Sequence, residues 1–179
     1  MTKGIVSGVV SNMVTLRVDG PVLQGEICYI TTGGDRLMAE VIKVVGSDVY
    51  VQVFESTRGL KVGSEAEFTG HQLEIQLGPG MLSKNYDGLQ NDLDKMDGVF
   101  LRRGQYTAPL DEDRLWDFEP IVKAGDKVEG SAWLGKVEEN HQPLKIMAPF
   151  QMEGVAVVKS IVPAGQYKVN DTIAVLTTE

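Results

Sequence analysis

The chain is poor in the side chains that usually carry covalent or metal chemistry, with one cysteine, Cys28, and two histidines, His71 and His141. A lone cysteine closes no internal disulfide and is too few for a site built from thiolates. Cys28 lies in the strand-like run Glu26–Ile30 with no histidine near it in sequence. A nucleophilic thiol needs an activating base, so Cys28 reads as a small, inert strand residue. His71 follows Gly70 ahead of a strand-like run, and His141 sits in the turn-like Asn140-His141-Gln142-Pro143. Neither has metal-ligand spacing to the other, and no Ser/His/Asp set is forced. Gly-x-x-x-x-Gly-Lys-Ser/Thr and Gly-x-Gly-x-x-Gly are both absent from the sequence, so no phosphate cradle is recognisable. Arg102-Arg103-Gly104 is a candidate anion site, weakened because adjacent side chains point to different faces in most backbones. The carboxylates gather as Asp87/Asp92/Asp94/Asp97 and Asp111/Glu112/Asp113/Asp117/Glu119. They lack the fixed spacing and loop glycine of a calcium loop and read as solvated faces. No catalytic, cofactor or metal residue is therefore expected in this chain.

Composition narrows the class further. At 179 residues, 42% hydrophobic and 23% charged, the chain has material for one ordinary domain or two small ones and is expected to fold. The formal charge of −8 argues against a nucleic-acid binder, which needs Lys and Arg to neutralise phosphates, and against adhesion to anionic lipid. Residues 71–120 hold 10 acidic against 5 basic side chains and supply most of that excess. No apolar run approaches bilayer-spanning length, and the amino-terminal Val/Ser/Gly alternation does not read as a signal-peptide core. A cytoplasmic protein without direct membrane insertion is expected.

Three stretches must supply the scaffold. Over residues 1–70 apolar and polar residues alternate, as in Val14/Leu16/Val18 and Val49/Val51/Val53. Turn residues separate the runs at Asp19-Gly20-Pro21, Gly33-Gly34-Asp35, Gly46-Ser47-Asp48 and Arg58-Gly59. Short strands at such spacing predict a small closed β-barrel, and the same alternation continues into Leu73/Ile75/Leu77 as one more strand. Residues 71–110 form a connecting segment that Gly78-Pro79-Gly80 interrupts. Asp87 as N-cap with Gln90 three residues on, then Leu89, Leu93 and Met96, predicts a short amphipathic helix over 88–97 that stops at Gly98. Its apolar stripe reads as a packing face.

Residues 111–179 contain an internal repeat. Val122-Lys123-Ala124-Gly125-Asp126-Lys127-Val128-Glu129-Gly130 is echoed by Val162-Pro163-Ala164-Gly165-Gln166-Tyr167-Lys168-Val169-Asn170-Asp171, each copy leading into an apolar strand, Ala132–Leu134 or Ile173–Leu176. With Gly154–Val158 as a further strand, two like halves predict a small sandwich of two short sheets. The expected class is all-β, a barrel followed by a linker with one short helix and a barrel-sandwich-like domain.

The motifs themselves resemble one family. Gln76-Leu77-Gly78-Pro79-Gly80-Met81-Leu82 with Tyr86-Asp87-Gly88-Leu89-Gln90 is similar to a segment of the catalytic A subunit of V-type and archaeal-type rotary ATPases. Upstream, the run from Gln52 through Gly59 to Gly63 resembles the same subunit. Downstream, Arg103-Gly104, Pro109-Leu110-Asp111 and Trp116-Asp117-Phe118-Glu119-Pro120 do so in the same order. Asn91-Asp92 stands where the family usually has Arg-Pro, so no role of that arginine carries over, and loss of the proline leaves the short helix free to continue.

The resemblance implies a non-catalytic amino-terminal piece of the A subunit, with Mg-ATP bound only in a later domain that opens with a P-loop. It implies that 1–70 joins a ring with the matching barrels of A and B subunits, and that 111–179 is an outward bulge near the peripheral stalk. The complex would lie on the inner face of a membrane. It implies structural roles for Gly59, Gly63, Gly78, Pro79, Gly80, Asp87, Gly88, Gln90, Gly104, Trp116 and Pro120. It also implies that 78–110, with Leu89, Leu93, Met96 and Phe100, faces the later domain and depends on context. Two other readings stand beside this one. The repeat also resembles biotinyl and lipoyl carrier domains, which present a lysine at the hairpin tip, whereas here the tip reads Asn140-His141-Gln142 and Lys145 falls on the following strand. The other is a stand-alone β-module that binds a ligand.

Overall fold

The computed structural model describes every residue except Asp97, Val99, Phe100, Leu101 and Glu179. The chain folds into two compact units, one of Met1–Ile75 with Lys95–Thr107, the other of Gln76–Asp94 with Ala108–Glu179. The segment 71–110 is thus shared between them.

The first unit is a closed barrel of six strands, β1 (Lys3–Val10), β2 (Met13–Val18), β3 (Glu26–Thr32), β4 (Asp35–Val45), β5 (Asp48–Val53) and β6 (Glu65–Gln72), in the order β1-β2-β5-β4-β3-β6. Alternation directs one face of each strand inward. Leu16 opposes Val49, Val14 opposes Val51, and Cys28 lies between Ala39 and Phe68, so these side chains share the interior. Closure leaves no unpaired sheet edge. The β3–β4 hairpin turns on Gly33-Gly34, both at positive φ (58° and 94°), the backbone a two-residue turn needs.

The alternation overshoots at the rim. Leu73, Ile75 and Leu77 belong to no strand, and they are 45%, 62% and 69% exposed. β6 is paired on both sides by β1 and β3 and stops at Gln72. No described strand pairs with residues 73–77, and alternation alone cannot make a strand.

The second unit is a sandwich. A four-stranded sheet contains β7 (Trp116–Pro120), β9 (Trp133–Glu139), β10 (Gln142–Met147) and β12 (Gly165–Tyr167) in the order β10-β9-β7-β12. A three-stranded sheet contains β8 (Lys127–Glu129), β11 (Val155–Ile161) and β13 (Ala174–Thr178) in the order β13-β11-β8. Trp116, Phe118 and Val137 form one buried cluster, and Val128, Leu134, Ala148, Ala156 and Val158 another. The two repeat copies send their short strands to different sheets, β8 to β11 and β12 to β7. Both use the same local device, in which an aspartate accepts the amide of a lysine three residues earlier: Lys123 to Asp126 at 2.9 Å and Lys168 to Asp171 at 2.8 Å.

The helix predicted over 88–97 does not form. Among the described residues, helical structure there is limited to a 3-10 turn at Leu93–Lys95, and Asp97 lies outside the described set. Gln90 adopts φ +61°, which a right-handed helix cannot contain, and Tyr86 doubles back to bridge Asp92.

Candidate functional site

Two clusters of family-motif residues are built on these scaffolds, one on each unit. In the sandwich unit, residues 76–94 run as a loop held by polar groups. The Asp87 carboxylate accepts the amides of Leu89 (2.9 Å) and Asn91 (2.8 Å) and the side-chain amide of Asn91 (2.9 Å). Asp87 therefore acts as a cap, as its N-terminal position suggested, but for a turn and not a helix. Burial opposes its ionisation, yet the donors from Asn91 and Leu89 outweigh it and hold the carboxyl below the ordinary aspartate range. Buried Gln90 reaches across to Gln76, whose N–H donates to Oε1 and whose carbonyl accepts Nε2–H, both at 2.7 Å. One side chain thus serves as a surrogate strand partner for Gln76.

The same loop is anchored to the sandwich. Gly78 packs on Leu110, where an added Cβ would come within 3.0 Å of Cδ1, and Gly80 (φ +107°) faces the Trp116 ring. The Tyr86 hydroxyl donates to the Pro109 carbonyl at 2.8 Å, and burial raises its pKa. The Leu82 amide donates to the carboxylate of buried Glu139 at 2.9 Å. Gly88 has open space around the position of a side chain, and Pro120 pairs with Gly135 on the β7–β9 ladder.

In the barrel unit, Arg103 is held internally. Its Nε and Nη2 donate to Asp35 at 3.0 and 2.5 Å, and Nη1 donates to the carbonyls of Ser56 and Arg58. This engagement removes the guanidinium from the anion site considered for Arg102-Arg103-Gly104, and Arg102 stays exposed. Gly104 (φ +71°) lies against Asp35 and Arg36, and its N–H donates to the Glu55 carboxylate at 3.1 Å. The Tyr106 hydroxyl accepts the Met38 amide at 2.8 Å. Gly63 donates to the Val6 carbonyl at 2.8 Å, and both Gly59 (+85°) and Gly63 (+93°) take left-handed backbone in the loop before β6.

Residues proposed for chemistry do not gather. Cys28 is fully buried, and burial, helped by the nearby Glu26 charge, pushes its thiol up to about 12, which suits packing and not nucleophilic attack. His71 is exposed, and His141 occupies the two-residue β9–β10 turn with Asn140, both at positive φ. Lys145 stands on β10 with Nζ 3.0 Å from the Trp133 ring centroid, away from the hairpin tip. Among the described residues no group of three or more His, Cys, Asp or Glu is placed to hold a metal. A cleft of about 810 Å³ on the sandwich is lined by Asp117, Glu119, Lys136, Glu138 and His141, with Lys136 bonded to Glu119 at 2.7 Å.

Residues 6–70 match the ATP synthase alpha/beta family beta-barrel domain, and residues 107–179 match the ATP synthase alpha/beta subunit barrel-sandwich domain. The chain belongs to the ATP synthase alpha/beta family. The V-type ATP synthase alpha chain of Treponema denticola is 44% identical over 181 residues, covering 99% of this chain, and that of Borreliella afzelii is 44% identical over 178. The corresponding chain of Borrelia turicatae is 43% identical. The chain spans about a third of the length of these relatives, 31%. It matches the amino-terminal, non-catalytic region of V-type ATP synthase alpha chains, and both family domains coincide with the barrel and sandwich described above. Sequence reading overlooked Lys84, Asn91 and Glu139 as structural groups and placed Asp92 on a solvated face, whereas the fold of the 84–94 loop buries it to 1% exposure. Glu139 alone left a trace, since it occupies an inward position in the alternation of β9.

Proposed function

We propose that this chain is the assembly region of the alpha (A) chain of a V-type ATP synthase, on the inner face of a membrane, working without a nucleotide site of its own. The barrel joins the ring made with matching barrels of the other A and B subunits, and residues 111–179 reach the peripheral stalk. Support comes chiefly from the pairing of a closed barrel with a sandwich, both matching domains of one family in one chain. Such a role needs rigid units with shaped outer surfaces and needs no catalytic group, which suits a chain in which Cys28 is buried and Arg103 is bonded to Asp35. Mg-ATP would act in another part of the longer subunit, since phosphoryl transfer requires a phosphate cradle and a magnesium ligand.

The test is a pull-down of the tagged chain against the B subunit of a V-type ATP synthase, paired with calorimetry against Mg-ATP. Capture of B with no measurable nucleotide heat is expected. Micromolar affinity for Mg-ATP, or failure to capture B at micromolar concentration, would overturn the reading.

A further inference from the structure

Asp92 is 1% exposed, and such a buried carboxylate is tolerated only with compensation. Lys84 supplies a cation at 3.3 Å, and the same Nζ lies 3.8 Å from Asp94. The Lys84 side chain is 35% exposed, so the pair joins a solvent-accessible cation to a buried acid. The Asp92 carboxylate also accepts the Asp94 amide at 3.1 Å. A second buried acid, Glu139, sits in the same neighbourhood, and Tyr86 senses the charges of Asp92, Lys84, Glu139 and Asp94 together. Two carboxylates thus lie within 4 Å of one ammonium in the sandwich unit, at 3.3 and 3.8 Å.

We propose that Lys84 is a charge bolt for the loop 84–94, a conformational device in which one partly exposed ammonium keeps the loop closed by compensating buried Asp92. The bolt spans the turn from its two ends. Beside the pair lie the Leu93 to Asn85 backbone bond (2.9 Å) and the Tyr86–Asp92 bridge, which form only when the ends meet, while the Asp87–Asn91 bonds shape the turn between them. Removing the ammonium takes from the buried acid a cation held 3.3 Å away. The least costly response is for the loop to open and expose Asp92 to water. A modification that neutralises the Lys84 amine would have the same effect.

Hydrogen exchange on the 179-residue chain tests this with four proteins: the parent, Lys84→Gln, Lys84→Arg, and the double variant Lys84→Gln/Asp92→Asn. In Lys84→Gln, the amides of Asn91 and Leu93 should exchange at least tenfold faster, while β7 and β9 amides of the same unit stay protected. Lys84→Arg should keep the parent pattern, and the double variant should recover most of the lost protection because neither partner is charged. Unchanged exchange in Lys84→Gln overturns the proposal. So does a double variant as open as the single one, including the case in which both lose protection across β7 and β9.

Discussion

A methyl group added at Gly135 would run into the Phe118 ring and come within 2.9 Å of the Glu119 carbonyl oxygen, the first a core side chain and the second backbone. Neither neighbour is the free end of a flexible chain, so strand β9 must move away from β7. Gly135→Ala is therefore expected to destabilise the sandwich by about 1–3 kcal/mol or more. Both tryptophans, Trp116 and Trp133, lie in that unit, so denaturant unfolding followed by tryptophan fluorescence reads the change. A midpoint equal to the parent's would refute the packing argument. Asp87 makes a second prediction. Its carboxyl is held below the ordinary range in the folded chain, so its contribution is complete above the unfolded aspartate pKa of about 3.9 and is lost as pH falls through the folded value. Loop amides near Asn91 should lose protection on acidification, after correction for intrinsic exchange, and Asp87→Asn should abolish that dependence. A dependence that survives in Asp87→Asn would assign it to another group.

Leu73, Ile75 and Leu77 form a stretch that has the alternation of a strand but no partner strand, with three apolar side chains in solvent. Replacing all three with serine should leave the unfolding midpoint within about 0.5 kcal/mol of the parent, because little packing is lost. The same change should lower self-association in sedimentation velocity, since contiguous exposed apolar groups drive it. Equal self-association in parent and variant would show that the stretch is inert. This stretch also marks what could be read in advance. The barrel strands and the two-sheet sandwich were legible, because alternation between turn residues reports burial on one face, as in Val14 and Leu16. Alternation does not report whether a neighbouring strand exists, so it failed at Leu73. Helical spacing failed at Leu89, Leu93 and Met96 for a related reason: polar bonds from Asp87 and Gln90 to specific backbone atoms set the local path, and a periodicity of apolar residues contains no trace of them. The family motifs pointed to Asp87 and Gln90 as structural residues, but the buried roles of Asn91 and Asp92 become visible only once the loop is closed.

At the scale of the molecule, the barrel includes residues from two separated parts of the sequence, and so does the sandwich. Residues 95–107 return to the barrel and bring Arg103 to Asp35, Gly104 to Glu55 and Tyr106 to Met38. A piece ending at Ile75 has all six barrel strands but none of these bonds. It is expected to unfold at lower denaturant concentration than the barrel of the whole chain, by at least the roughly 1.5–3 kcal/mol of one charge-assisted hydrogen bond. Equal midpoints would show that the returning segment is ornamental. The polypeptide passes from one unit to the other at 75/76, 94/95 and 107/108. No single crossover between two such genes can therefore hand over one intact unit and leave the other intact behind it: a break at 75/76 robs the barrel, one at 107/108 robs the sandwich, and one at 94/95 robs both. A single crossover therefore always leaves at least one unit assembled from segments of both parents.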